Sequence, residues 1–223
     1  MALGPSVKDY MYPISYPALE FSQAWTEESD SKTGGKCVLS AGNASTPMKA
    51  VFSPTAGSPW ANAYILHRHP FTPATNWTYP VTAMYPTQAD IDNSQCFELD
   101  RQDNPGGNMF NWGIQLRFGS GLFIWNRAAK NGAGEWEGPI PDTLPLVKFT
   151  PGVAKQLALT CSRDSSRLAY EALCIDDKIV SLPYNYPSVV KAQTPYVNNA
   201  FQLDSKGQGK PITCLVRCGL FGF

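Results

Sequence analysis

Between residues 96 and 182 apolar and polar positions alternate in short runs separated by turn residues, the period-two signature of half-buried β-strands. Cys96-Phe-Glu-Leu-Asp100 alternates and ends in the turn Asn104-Pro-Gly-Gly107. The run 109–118 sets Trp112, Ile114, Leu116 and Phe118 on one face and Asn111, Gly113, Gln115 and Arg117 on the other. Gly119-Ser-Gly121 then turns the chain into Leu122-Phe-Ile-Trp-Asn-Arg127, the expected hairpin partner, in which Trp125 and Arg127 share a face. The runs 155–161, 167–175 and 178–182, separated by turns at 163–166 and 176–177, read as a second meander. Residues 214–218 read as a last strand or a tail held by a disulfide. Nineteen prolines and eighteen glycines leave no uninterrupted window for a long amphipathic helix. The pattern predicts an all-β chain, one antiparallel β-sandwich of two packed sheets, with helix below about 10% of residues.

Composition narrows what such a sandwich does. A chain of 223 residues can bury a full core, and with no internal repeat or low-complexity linker it reads as a single domain over 1–223. The start, Met1-Ala2-Leu3-Gly4-Pro5, has no charged and apolar leader; residues 1–5 read as an expression remnant, any signal peptide having been removed. Formal net charge is zero and 16% of residues are charged, with no basic stripe to grip phosphates, so no nucleic-acid partner is expected. No apolar run reaches the length of about 18 residues that spans a membrane. Oligomeric state is left open.

Two sequons, Asn43-Ala44-Ser45 and Asn76-Trp77-Thr78, accompany six cysteines. Asn43 and Asn76 can accept glycans only in a secretory compartment, where Cys37, Cys96, Cys161, Cys174, Cys214 and Cys218 would pair as disulfides. Together they predict a secreted protein, although sequence does not choose the pairing.

Conventional catalytic signatures are incomplete. Glu98 and Asp100 alternate onto one face of a strand, the placement two carboxylates need around a glycosidic bond. Asp103, however, stands where a longer acid is required, beside the Asn104-Pro105 turn. His67-Arg68-His69 offers two imidazoles but no third ligand, so no metal is expected. Glu135-Trp136-Glu137 follows a glycine-rich stretch and reads as solvated loop acids, and there is no nucleophile elbow or phosphate loop. Six tryptophans, ten tyrosines and eleven phenylalanines exceed what the core is expected to absorb. Many of them neighbour polar or turn residues, with Trp60, Tyr64, Trp77, Tyr79, Tyr85, Trp112, Trp125 and Trp136 as the candidates, which points to an aromatic lining for sugar rings or an apolar polycyclic ligand.

Phe97-Glu-Leu-Asp100, the aromatic hairpin and the late Leu168-Ala-Tyr-Glu-Ala-Leu-Cys-Ile-Asp-Asp-Lys-Ile-Val-Ser-Leu182 segment resemble the concanavalin-A-like lectin and glucanase jelly roll over roughly residues 50–220. Glu98 to Asp103 resembles a degenerate laminarinase-type glycoside hydrolase signature. In size, cysteine and sequon usage, and the Trp-Gly-Ile-Gln-Leu-Arg-Phe and Gly-Leu-Phe-Ile-Trp-Asn-Arg strands, the chain also resembles fungal hetero-Diels–Alderases of tropolone–sesquiterpenoid pathways.

That second resemblance implies a cofactor-independent pericyclase joining an o-quinone methide to a humulene-type olefin. Such a reaction asks only for orientation of small apolar substrates and a donor to the heterodiene carbonyl. Gln115, Arg117 and Arg127 are the expected catalytic donors, and Trp60, Tyr64, His67, His69 and Trp125 the expected substrate-binding residues. The alternative is a secreted lectin-like carbohydrate-binding module.

Overall fold

The structure, a computed structural model, describes residues 25–29, 35–40, 46–53, 55–57, 62–69, 75–218 and 221–222. Two antiparallel sheets account for most of them. The first runs in the order β1 (Trp25–Ser29), β4 (Asn62–His69), β14 (Tyr196–Ser205), β6 (Ser94–Asn104), β7 (Asn108–Arg117), β8 (Gly121–Asn126) and β9 (Glu135–Glu137), with β13 (Val189–Val190) on the end of β7. The second runs β12 (Lys178–Pro187), β11 (Arg167–Ile175), β10 (Lys155–Arg163), β5 (Asn76–Met84), β15 (Ile212–Cys218), β3 (Met48–Ser53) and β2 (Lys36–Ser40), with β16 (Phe221–Gly222) beside β5. The one regular helix among the described residues, α1 (Gln88–Asn93), is closed by a capping box between Thr87 and Asp90. Asp90 also accepts from the Thr213 amide, which ties α1 to β15.

The expected strands and turns are present, and so is the sandwich. Trp112, Ile114 and Leu116 face inward while Gln115 and Arg117 stand on the opposite face, as the alternation required. Residues 214–218 lie in a strand rather than a tail. β12 runs past its expected end at Leu182 through Pro183 because it is an edge strand, where a missing backbone donor breaks no ladder. Pro80 lies in a central strand, pairing with Ala158 on one side. On the other it falls between Val81, opposite the end of β15, and Thr78, opposite β16, where no ladder donor is called for.

Two sequence expectations are corrected. Trp77, Tyr79, Tyr85 and Trp112 do not form an aromatic surface: all are buried, and Trp77 meets Trp112 edge-on across the sheets with centroids 4.3 Å apart. A two-sheet core consumes more aromatic volume than the composition argument allowed. Among the described residues the disulfide framework is absent as well, for Cys37, Cys96, Cys161, Cys174 and Cys214 are buried thiols. They lie on β2, β6, β10, β11 and β15, and even the neighbouring pair is out of register, with Cys161 opposite Tyr170 and Cys174 opposite Ala158. The side chain of Cys218 lies outside the described residues.

Tyr170 of β11 crosses the core and ends at the first sheet. Its hydroxyl oxygen accepts from the Gly113 amide at 2.7 Å, and its hydrogen lies between the carbonyls of Gly113 at 3.1 Å and Trp125 at 2.9 Å. The β7–β8 ladder starts only at Ile114, so this hydroxyl satisfies backbone groups that the ladder leaves over. Tyr170→Phe is expected to cost about 1–3 kcal/mol by orphaning them. A urea midpoint equal to wild type, at unchanged slope, would contradict this.

Candidate functional site

The outer face of the first sheet is built from three cross-strand rows. One row holds Tyr64, Gln202, Glu98, Gln115 and Phe123 in register. The next holds Asn62, Asp204, Cys96, Arg117 and Gly121. The third holds Leu66, Ala200, Asp100 and Gly113. Strict alternation in β6 puts Cys96, Glu98 and Asp100 here while Phe97 and Leu99 enter the core.

Side-chain hydrogen bonds join the rows. Gln115 Nε2 donates to Glu98 Oε2 at 2.5 Å, and Gln202 Nε2 donates to the same oxygen at 3.1 Å and to Asp204 Oδ1 at 2.9 Å. Cys96 donates its thiol hydrogen to Asp204 Oδ2 at 3.2 Å. Arg117 Nε donates to Gln115 Oε1 at 2.7 Å, with its guanidinium 3.8 Å over the Phe123 ring.

Glu98 and Asp100 are neighbours on this face, so ionising one disfavours ionising the other. Burial raises Glu98 well above the usual carboxylate range, with the neighbouring Asp100 adding to it. Burial likewise brings Asp100 and Asp204 each to about 6, and raises the Cys96 thiol. Cys96, Glu98 and Asp204 can bring one donor atom each within 4.8 Å of the others, a geometry open to an ion. Glu98 and Asp204 already accept amide hydrogens there and Cys96 holds its own, so the arrangement is one of proton sharing.

Beside this network lies an aromatic pair. Trp125 of β8 and Trp136 of β9 are register partners, half-exposed, with centroids 5.0 Å apart and planes inclined by 53°. They converge with Asp100 over Gly113, where a Cβ would lie 2.7 Å from Asp100 Oδ1, 3.0 Å from Trp125 Cβ and 3.1 Å from Trp136 Cη2. Only glycine leaves room for those three side chains to meet there. Gly134, at φ +87°, lies against the edge of the Trp125 indole, where any Cβ would overlap the ring.

The predicted site residues separate under this geometry. Gln115, Arg117 and Trp125 lie on the face. Arg127 follows the end of β8 and donates to the Ala133 carbonyl at 3.5 Å, in the turn beneath Trp125. Tyr64 stands in the row of Gln202 and Glu98, whereas His67 and His69 register with Asn199 and Val197. The side chains of Tyr64, His67 and His69, and all of Trp60 and Asn43, lie outside the described residues. Asn76 is exposed at the start of β5.

The hydrolase signature is corrected. β6 passes from Glu98 to Asp103 with unshifted register on both sides, so Asp103 falls on the inner face, fully buried beside Arg101 and Arg163. It cannot act with Glu98 and Asp100. Glu137 is no solvated loop acid either, since it accepts from Asn126 at 2.7 Å and from the Tyr186 hydroxyl at 2.6 Å. Sequence reasoning missed Gln202 and Asp204. Their signal was the alternation Phe201-Gln-Leu-Asp204, which puts two polar residues on the face opposite two core residues.

No protein-family model matches the chain, and no curated protein matches it. Similar solved structures include peanut lectin with a nine-residue peptide, at 12% identity over 89% of this chain and 98% of that one, TM-score 0.44. A carbohydrate-binding module from Bacillus subtilis aligns at 10% identity over 89% and 96%, TM-score 0.42. The exoplasmic/lumenal domain of VIP36 in its Ca2+/Man-bound form aligns at 14% identity over 94% and 88%, TM-score 0.49. Among the described residues no helix is long and apolar enough to cross a membrane.

The proton-sharing network has a pH consequence. Folded Asp100 and Asp204 keep their protons to about pH 6, against about 3.9 for an unfolded aspartate, so above that lower value the native state binds more protons. Stability therefore falls as pH rises through 6. The melting temperature at pH 5 is expected to exceed that at pH 8 by roughly 5 °C, and Glu98→Gln, which mimics the protonated acid, should reduce the difference. A melting temperature that rises from pH 5 to 8 would sink this account.

Proposed function

We propose that the outer face of the first sheet binds carbohydrate. The observation that carries the reading is the half-buried Trp125–Trp136 pair converging with Asp100 over Gly113, next to the half-buried Gln202, whose amide the buried Glu98 and Asp204 carboxyls hold in place. A pyranose is apolar on its faces and carries hydroxyls at its rim. An indole supplies the apolar surface, and planar amides and carboxyls supply paired donors and acceptors at fixed spacing. Because the network is internally hydrogen-bonded, its side chains are already oriented, which lowers the entropy lost on binding. Export through a secretory pathway fits this reading and rests on the two sequons, of which Asn76 is exposed.

The hetero-Diels–Alder reading keeps one specific support. Arg117, half-buried against Phe123 and 6.0 Å from the Trp136 ring centroid, is a cationic donor beside an aromatic wall, the combination that would polarise a heterodiene carbonyl.

Calorimetry against a panel of oligosaccharides, together with incubation with an o-quinone methide precursor and a humulene-type olefin, tests both. Saturable glycan binding is expected, weakened at least about tenfold by Trp136→Ala with the fold retained by circular dichroism. No binding to any glycan, or binding indifferent to Trp136→Ala and Trp125→Ala, would refute the carbohydrate site. Faster formation of one stereoisomer, lost in Arg117→Ala, would instead establish the cycloaddition.

A further inference from the structure

Charge is distributed unevenly around the aromatic pair of the outer face. Alternation in β8 and β9 carries Trp125 and Trp136 outward, while Glu137 registers with the core residue Ile124 and reaches the Tyr186 hydroxyl of the other sheet. The other carboxylate of β9, Glu135, is taken by Lys130 at 2.9 Å. Beside the pair on the outer face stands Arg117, half-buried, its guanidinium carbon 3.8 Å over the Phe123 ring and 6.0 Å from the Trp136 centroid. Its Nε donation to Gln115 Oε1 fixes the direction of the guanidinium. Arg127, in the turn beneath Trp125, adds a second cation. Among the described residues the titratable groups facing Arg117 are Cys96 and Glu98 of β6 and Asp204 of β14, with Asp100 next along β6. Burial holds Glu98 above the usual carboxylate range, brings Asp100 and Asp204 to about 6, and keeps the Cys96 thiol protonated. Burial also lowers the Arg117 pKa, and the nearby acids only partly oppose it.

We propose, resting on the carbohydrate reading above, that the ligand is a carboxylated sugar, a uronic-acid oligosaccharide that lays a pyranose ring on Trp136 and pairs its carboxylate with Arg117, and that acid pH favours its binding. A planar carboxylate matches the guanidinium fork, and a charge-assisted pair of this kind is stronger than a bond to a neutral hydroxyl. At 6.0 Å from the indole centroid the guanidinium is near enough for one sugar residue to touch both. The ligand brings a counter-charge that the largely protonated acids of the face do not supply at pH 5. As pH rises through 6, Asp204, two places from Arg117 in the same cross-strand row, ionises and supplies that charge from the protein itself. The ligand carboxylate, with an ordinary carboxyl pKa of about 3.5, is ionised throughout and then meets like charge.

Calorimetry on the whole protein decides it, with oligomers of galacturonic, glucuronic and mannuronic acid each measured against its own methyl ester, which keeps the ring and removes the charge. At pH 5 at least one acid is expected to bind about tenfold or more tighter than its ester. That preference is expected to fall severalfold at pH 8, and to vanish in Arg117→Met, which keeps an apolar stem over Phe123 and removes the charge. Esters or neutral oligosaccharides that bind as well as the acids overturn the carboxylate assignment and leave the carbohydrate reading standing. Absence of binding by every sugar, neutral or acidic, overturns both. A preference retained in Arg117→Met overturns the role of Arg117; should that variant fail to fold, a wild-type preference equal at pH 5 and pH 8 does so.

Discussion

The pleat of β6 sorts the chemistry of this protein. Between Glu98 and Asp103 it pairs with β14 on one side and β7 on the other without a register shift, so each residue's face is fixed by its parity. Even positions carry Cys96, Glu98 and Asp100 outward; odd positions carry Phe97, Leu99, Arg101 and Asp103 inward. A single inserted residue would exchange the two sets, putting Glu98 against the core and Phe97 into water. Because both neighbouring strands enforce the same register, the cost of such a slip falls on three strands together. That is why six consecutive positions bearing four charges can lie in the middle of a sheet and still form two separate networks, one on each face.

How much of this was legible in the sequence follows from the range of each signal. Alternation is local, so the strands from 96 to 182, the inward stripe of Trp112, Ile114 and Leu116, and the outward pair of Gln115 and Arg117 could all be read directly. Pairing across long sequence separations was not local. Gln202 and Asp204 reach Glu98 only through the β14–β6 ladder, which joins residues about a hundred positions apart, and nothing in a linear pattern announces that neighbour. Asp103 was misjudged for a related reason. The Asn104-Pro105 turn signal in the sequence reaches back to Asp103, whereas β6 continues through Asn104 and keeps Asp103 in the pleat. The cysteines misled because an even count says nothing about distance: burial in separate strands suits a thiol as well as it suits any small apolar group.

The outer face also depends on a residue of the other sheet. Gly113 leaves space for Asp100 and the two indoles, but a glycine in a strand contributes no packing of its own and weakens the element that contains it. The Tyr170 hydroxyl compensates from behind, fixing the amide and carbonyl of Gly113 and the carbonyl of Trp125 just where the β7–β8 ladder has not yet begun. Making room for the aromatic pair and bracing its backbone are therefore assigned to different sheets. The aromatic pair is held at its backbone by β11, and at its ring edge by the close approach of Gly134.

The two faces of β6 handle buried charge by opposite means, and the difference decides how each responds to its surroundings. On the outer face burial and mutual repulsion favour the protonated acids, and Gln115 and Gln202 add neutral donors. On the inner face Arg101 is caught between desolvation, which lowers its pKa, and Asp103, which raises it. A guanidinium remains charged at any pH a folded protein meets, so it needs a counter-charge or an acceptor. The outer network is thus the adjustable one, sensitive to pH between its raised acids and neutrality, while the inner one is fixed in charge and acts as a strut between the sheets. Both hang from the same strand, and the ladder to β14 holds Asn199 against Arg101 and Gln202 against Glu98 three residues apart.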